Sequence, residues 1–143
     1  MSGGKSPRRR AREFVVQGLY QWQVGGQDQT SIEAQAGGVA GFDKADTGLY
    51  RALLERTLAD AAALQALLAP FVDREWAEVS PIERSILLIG ACEFKHFPET
   101  PYRVVINEAI ELAKSYGGTD GHKFVNGVLD KLAPVLRAAE TRR

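Results

Sequence analysis

At 143 residues, 45% of them hydrophobic and only one of them cysteine, the chain is the size of about one domain, able to build a core without disulfides. No apolar run approaches the roughly 18–20 residues of a membrane helix, the basic start has no apolar stretch behind it to make a secretory signal, and the lone cysteine fits a reducing cytoplasm. Eighteen basic residues balance eighteen acidic ones, yet Lys5, Arg8, Arg9, Arg10 and Arg12 all precede the first acid, Glu13, so the rest of the chain is net acidic; such asymmetry reads either as a polyanion site at one place or as a solvated basic tail.

Residues 1–7 read as a flexible basic tail. From Arg8 onward, Ala11, Phe14, Val15, Gly18, Leu19 and Trp22 recur at the three-and-four spacing of one helix face, and Gly25-Gly26 ends that helix. Thr30-Ser31-Ile32-Glu33 has the form of a capping box and opens a second, weaker helix, which Gly37-Gly38 and Gly41 break up. One long helix is expected over residues 46–69, with Leu49, Leu53, Thr57, Ala61, Leu64 and Leu68 as its stripe and Pro70 as its stop. Residues 71–79 form a connector.

Ser80-Pro81-Ile82-Glu83 then gives a cap, a first-turn proline and a glutamate able to bond back to the cap. The helix it opens is apolar nearly all round over residues 86–92, as suits the middle of a bundle. Thr100-Pro101 repeats the cap-and-proline start for a helix carrying Val104, Val105, Ala109, Leu112, Ala113 and Tyr116, stopped by Gly117-Gly118. Thr119 or Asp120 caps the last helix, with Phe124, Val125, Val128, Leu129 and Leu132 on its apolar face; Pro134 kinks or ends it, and residues 137–143 read as a frayed charged tail. No segment alternates with period two for long, so the fold class is all-α.

Chemistry is mostly absent from these patterns. His96 and His122 are far apart and in no ligand spacing, Cys92 sits in the buried helix, and there is no phosphate-binding loop or nucleophile elbow. Glu108 and Glu111 read as surface or interhelical charges, Glu111 pairing with Lys114. The glycine-rich stretch 117–121 is a helix stop and turn first, a phosphate cradle second. No catalytic residue, metal or cofactor is assigned, and the chain is read as a binding protein rather than an enzyme. Arginines supply forked phosphate contacts. Phe124 beside Lys123, near a helix start, suits a stacked base with its phosphate on the helix amides, or is plain core packing.

Residues 8–13 (Arg-Arg-Arg-Ala-Arg-Glu), 17–22 (Gln-Gly-Leu-Tyr-Gln-Trp), 102–117 and 122–131 resemble the NusB transcription antitermination factors, and the likeness runs over essentially the whole chain except about residues 24–45. The resemblance implies a bundle of about six or seven helices in one domain, residues 8–136, made of two packed subdomains, about 8–79 and 80–136. It implies binding of the boxA element of nascent ribosomal RNA together with NusE, a small-subunit ribosomal protein, within a complex that helps RNA polymerase resist termination. Carried over by matching motif, Arg8, Arg9, Arg10, Arg12, Gln17, Phe71, Asp120, Lys123, Phe124 and Asn126 form the RNA surface, and Tyr20 and Glu83 the NusE contact. Phe71 keeps a ring where the family often has tyrosine, and Ala77-Glu78 departs from a more acidic pattern. A NusB-like domain of an RNA methyltransferase and a helical adaptor with an incidental basic tail are the other readings; the first lacks a Rossmann-like segment here. Whether the free protein is a monomer or a homodimer stays open.

Overall fold

Ser6 accepts a hydrogen bond from the Arg9 amide at 3.1 Å and Pro7 takes the first helical position, so α1 (Pro7–Gly25) begins one residue before the arginine run. The computed structural model describes residues 5–142. The first four residues of the expected tail lie outside that range, as does Arg143, while Lys5 pairs with Glu13 at 2.6 Å. Ala11, Val15, Val16 and Leu19 give α1 its buried stripe, and Gly26, left-handed at φ 67°, closes it.

The all-helical expectation holds: the described residues form eight α-helices and three short 3-10 turns, with no strand. Three boundaries differ from the sequence reading. The cap of α2 (Gln29–Gly37) is Asp28, whose carboxylate takes the Ser31 amide at 2.9 Å, rather than Thr30. The expected long helix is two, α3 (Thr47–Ala59) and α4 (Ala61–Leu68), divided at Asp60. Just before the break, Thr57 Oγ1 donates to the Leu53 carbonyl at 2.6 Å, a back-bond that bends helices. The Asp60 carboxylate meanwhile takes bonds from Lys95 at 2.8 Å and His96 at 2.7 Å on the next long helix.

That helix, α5 (Pro81–His96), is the axis of the molecule, and Ser80 caps it as the sequence implied. Every residue from Ser85 to Phe94 is buried, because α1, α3, α4, α6 (Tyr102–Tyr116) and α7 (Gly121–Leu136) all pack against it. Gly90 lets α7 come close: a Cβ there would fall 2.8 Å from Leu129 Cδ1.

The third difference is at the carboxyl end. Pro134 lies inside α7 without ending it. Arg137, expected in a frayed tail, is buried and donates to the carbonyls of Phe94 at 2.8 Å, Phe97 at 3.0 Å and Glu93 at 3.1 Å, satisfying the carboxyl end of α5. A short α8 (Ala138–Thr141) follows, and Glu140, paired with Arg137, accepts the Tyr102 amide at 3.1 Å. The start of α6 is thus capped from the far end of the chain, with no side-chain cap from Thr100, which is buried.

Candidate nucleic-acid interface

Successive residues of a helix point about 100° apart, so four arginines within five positions of α1 are sent to different surroundings. Arg12 points inward. Its guanidinium is 3% exposed and grips Glu93 of α5 with two hydrogen bonds, 2.8 and 2.9 Å, with Glu108 of α6 at 3.9 Å. Burial works against its charge, but the Glu93 hydrogen bonds and the fields of Glu93 and Glu108 outweigh it and hold its pKa above the ordinary arginine value. The phosphate role expected of Arg12 does not fit this placement: its guanidinium is buried and paired with Glu93, away from the surface.

Arg9 is intermediate. It forks onto Glu108 at 3.0 and 2.9 Å, chiefly through which its pKa is raised, yet it stays on the surface. Arg8 is half exposed, 3.7 Å from Asp46. Arg10 is partly exposed, lies near Gly41, and has no ion-pair partner among the described residues. Glu111 does pair with Lys114, at 3.8 Å, as the spacing suggested.

Further along α1, the Gln17 amide donates to the Tyr116 hydroxyl at 3.1 Å, joining α1 to the end of α6. Sequence reasoning gave Tyr116 to the core; the structure leaves it partly exposed beside a candidate RNA residue.

At the amino end of α7, Asp120 and Lys123 are both well exposed and 3.5 Å apart. The Phe124 ring is half-buried, with the Arg74 guanidinium stacked 4.4 Å over its centroid. Arg74, itself bonded to Asp73 at 2.8 Å, was missed because no local pattern links a connector residue to a ring fifty positions on. Phe71, also half-buried, ends the 3-10 turn Ala69–Phe71, which packs on α7. Asn126 does not join this group. Two residues past Phe124, it lines the groove toward α6 with Arg103 and Ile106.

The expectation that a phosphate meets the α7 amides is also corrected. A Cβ on Gly121 would fall 2.7 Å from Glu83 Oε2, so a carboxylate already lies against that helix start. Glu83 reaches there instead of closing the expected box: Ser80 accepts the Glu83 amide at 3.1 Å, while the return bond found is at Glu75–Glu78.

Among the described residues no His, Cys, Asp and Glu cluster suited to a metal occurs, and no helix is long and apolar enough to cross a membrane. Cys92 is fully buried, and burial pushes its thiol up to about 11, as befits a core residue.

Residues 9–134 match the profile of the NusB family. The chain belongs to the NusB family. It is 59% identical over 136 residues to a transcription antitermination protein NusB of Aromatoleum aromaticum (strain DSM 19018 / LMG 30748 / EbN1), covering 95% of this chain and 94% of that one. With NusB of Burkholderia cenocepacia (strain HI2424) the identity is 53%, covering 96% and 95%. The fold matches a T. maritima NusB structure at TM-score 0.83 and 25% identity, over 98% of this chain and 100% of that one. It also matches a chain in a structure of antitermination factors NusB and NusE with double-stranded RNA, at TM-score 0.77 and 20% identity, over 90% and 97%.

On this NusB-family chain the structure does not bring the two residues expected to touch a protein partner together: the Glu83 carboxylate lies against Gly121 at the start of α7, away from the hollow that Tyr20 lines. Tyr20, 40% exposed, shares a shallow apolar hollow with Gln17, Gln21 and Ile82, and Glu83 follows Ile82 on α5. Gln23 fixes this junction: its amide donates to Ser85 Oγ at 2.7 Å and accepts from Arg84 at 2.8 Å.

Proposed function

We propose that the chain is a non-catalytic transcription antitermination factor of the cytoplasm, which binds the boxA element of nascent ribosomal RNA together with NusE and helps RNA polymerase resist termination. The observation that carries the reading is the split of the arginine run. Arg12 is consumed by the fold, while Arg8 and Arg10 project from the first turns of α1 with weak or no ion pairing among the described residues. Exposed cations at a helix amino end oppose its dipole by about 0.3–1 kcal/mol each, so a phosphate partner explains them better than helix stability does. The high identity to proteins named for antitermination supports the same reading.

RNA phosphates rest on Arg8 and Arg10, with Arg9 able to join by exchanging Glu108 for phosphate. Gln17, Lys123, Asp120 and the Phe71–Phe124 rings extend the surface; Asn126 contributes only if the strand also crosses toward α6. NusE sits on Tyr20 and the Glu83 end of α5. The test is a salt titration of binding to boxA-like single-stranded RNA. Each phosphate contact contributes a slope of about −0.7, so Arg8→Ala with Arg10→Ala is expected to shallow it by about 1.4, with stability changed by less than about 0.5 kcal/mol. An unchanged slope sinks the assignment. Capture of NusE by wild type but not by Tyr20→Asp, with RNA binding by the chain alone retained, tests the separate partner face.

A further inference from the structure

Arg9 is a cation of the amino-terminal run that the fold pairs at the surface with full fork geometry. Its Nε and Nη2 donate to the two carboxylate oxygens of Glu108 at 3.0 and 2.9 Å, across 99 positions of chain. The pair is open to solvent: the Arg9 side chain is 36% exposed and that of Glu108 18%. Among the described residues Glu111 and Glu13 act on Arg9 only through their charges, and Glu13 is itself bonded to Lys5 at 2.6 Å. Behind the pair, Glu108 Oε1 lies 3.9 Å from Arg12 Nη1, while Nε and Nη2 of Arg12 are held by Glu93. Glu108 thus stands between one cation that faces solvent and one that is locked inside.

We propose that Glu108 is an intramolecular competitor of the RNA: it occupies on Arg9 the two donors that a phosphate takes, and an RNA strand binds there by exchange, with Glu108 passing to Arg12. The inference rests on the RNA reading above. Carboxylate and phosphate oxygens accept the same pair of parallel N–H bonds from a guanidinium, so one excludes the other from that edge of the fork. The second cation makes the exchange feasible. A partly buried carboxylate that lost its only partner would be costly, whereas Arg12 Nη1 is already within ion-pair distance. The exchange also favours a strand over a free anion. A phosphate tethered to neighbours on Arg8 and Arg10 reaches Arg9 at the high effective concentration of a linked group; a single free phosphate must displace a carboxylate that is itself tethered. Glu108 therefore sets the affinity of the RNA surface without touching RNA.

The experiment is a binding cycle with boxA-like single-stranded RNA at fixed salt, using the intact chain as wild type, Glu108→Gln, Arg9→Ala and the double variant. Glutamine keeps the length of the side chain and removes its charge, so Glu108→Gln is expected to tighten binding roughly two- to fivefold, what a solvent-facing ion pair is worth. In the Arg9→Ala background the same substitution should leave affinity nearly unchanged. So should Glu111→Gln, which removes an equal charge that pairs with Lys114 instead. Unchanged or weaker binding by Glu108→Gln, with an unaltered urea transition, overturns the proposal and leaves the pair as a clasp between α1 and α6. Equal tightening with and without Arg9, or by Glu111→Gln, overturns it too, since general charge repulsion then explains the gain. If Glu108→Gln unfolds, the wild-type chain decides. Nitrogen–proton correlation spectra of its arginine side chains should show Arg9 Nε–H shifting more than Arg12 Nε–H as RNA saturates the protein, and an Arg9 signal that stays in place sinks the exchange. If wild type binds no RNA at low salt, or the Arg8→Ala and Arg10→Ala double variant keeps the full salt slope, the RNA reading itself fails and the inference falls with it.

Discussion

The two ends of the chain look alike as sequence and differ as structure. Both are arginine-rich and both read as charged, solvent-facing segments. At the amino end the reading holds for Arg8 and Arg10 and fails for Arg12, which is locked onto Glu93. At the carboxyl end Arg137 closes α5 by bonding the carbonyls of Glu93 and Phe94 in its last turns and of Phe97 just after it. What an arginine does here is decided by the acceptor its fork meets, and charge pattern alone is blind to that. Arg12 and Arg137 belong to the architecture, and Arg8 and Arg10 are the cations left for the proposed RNA surface.

The largest test of this contrast is Arg12→Ala. Removing one member of a buried pair strands the other, and such losses run to about 3–5 kcal/mol. Urea unfolding is expected to show a loss of that size, with Glu93 left uncompensated between α1 and α5. Should the variant stay fully stable and lose RNA affinity instead, Arg12 would rejoin Arg8 and Arg10 and the division would collapse.

Next in size is Arg137→Ala. Hydrogen bonds to a charged donor are worth about 1.5–3 kcal/mol, but the freed carbonyls near the end of α5 regain some water, so a loss of about 2 kcal/mol is expected. Glu140→Ala, which uncaps α6, should cost about 1 kcal/mol, the usual size of a lost helix cap. Thermal or urea unfolding measures both. If neither variant moves the transition, the carboxyl segment frays after all.

How much of this was legible follows from the range of each interaction. Ser80-Pro81 opens α5 and Gly25-Gly26 closes α1 as read, because caps and stops act within a few residues. The apolar run at residues 86–92 announced a central helix, and residues 85–94 of α5 are all buried. The failures are contacts across the chain. Arg12 and Glu93 are 81 positions apart, and Glu140 caps a helix that begins 38 residues earlier. At the break Asp60 bonds Lys95 and His96 of α5, contacts that a continuous stripe of leucines could not reveal. At the candidate site, Phe124 and Lys123 were legible as an aromatic–cation pair. Arg74 over the ring and Glu83 at the start of α7 needed the fold.

The smallest effect sharpens the contrast at the other end of α5's last turn. Asp60 is held below the usual carboxylate range, first by hydrogen bonds from Lys95 and His96 and then by their charges. A carboxyl group whose pKa is lower folded than unfolded adds stability above its unfolded value, about 4, and that contribution disappears as pH falls through the folded value. Asp60→Asn should therefore lower the urea midpoint at neutral pH, and the gap to wild type should narrow as pH drops below about 4. Arg137 binds α5 through carbonyl oxygens, which do not titrate in this range, so those bonds should persist over the same interval. A gap for Asp60→Asn that is the same at pH 7 and pH 3 would mean that Asp60 acts only by interrupting the helix, and that the charge it offers to Lys95 and His96 adds nothing.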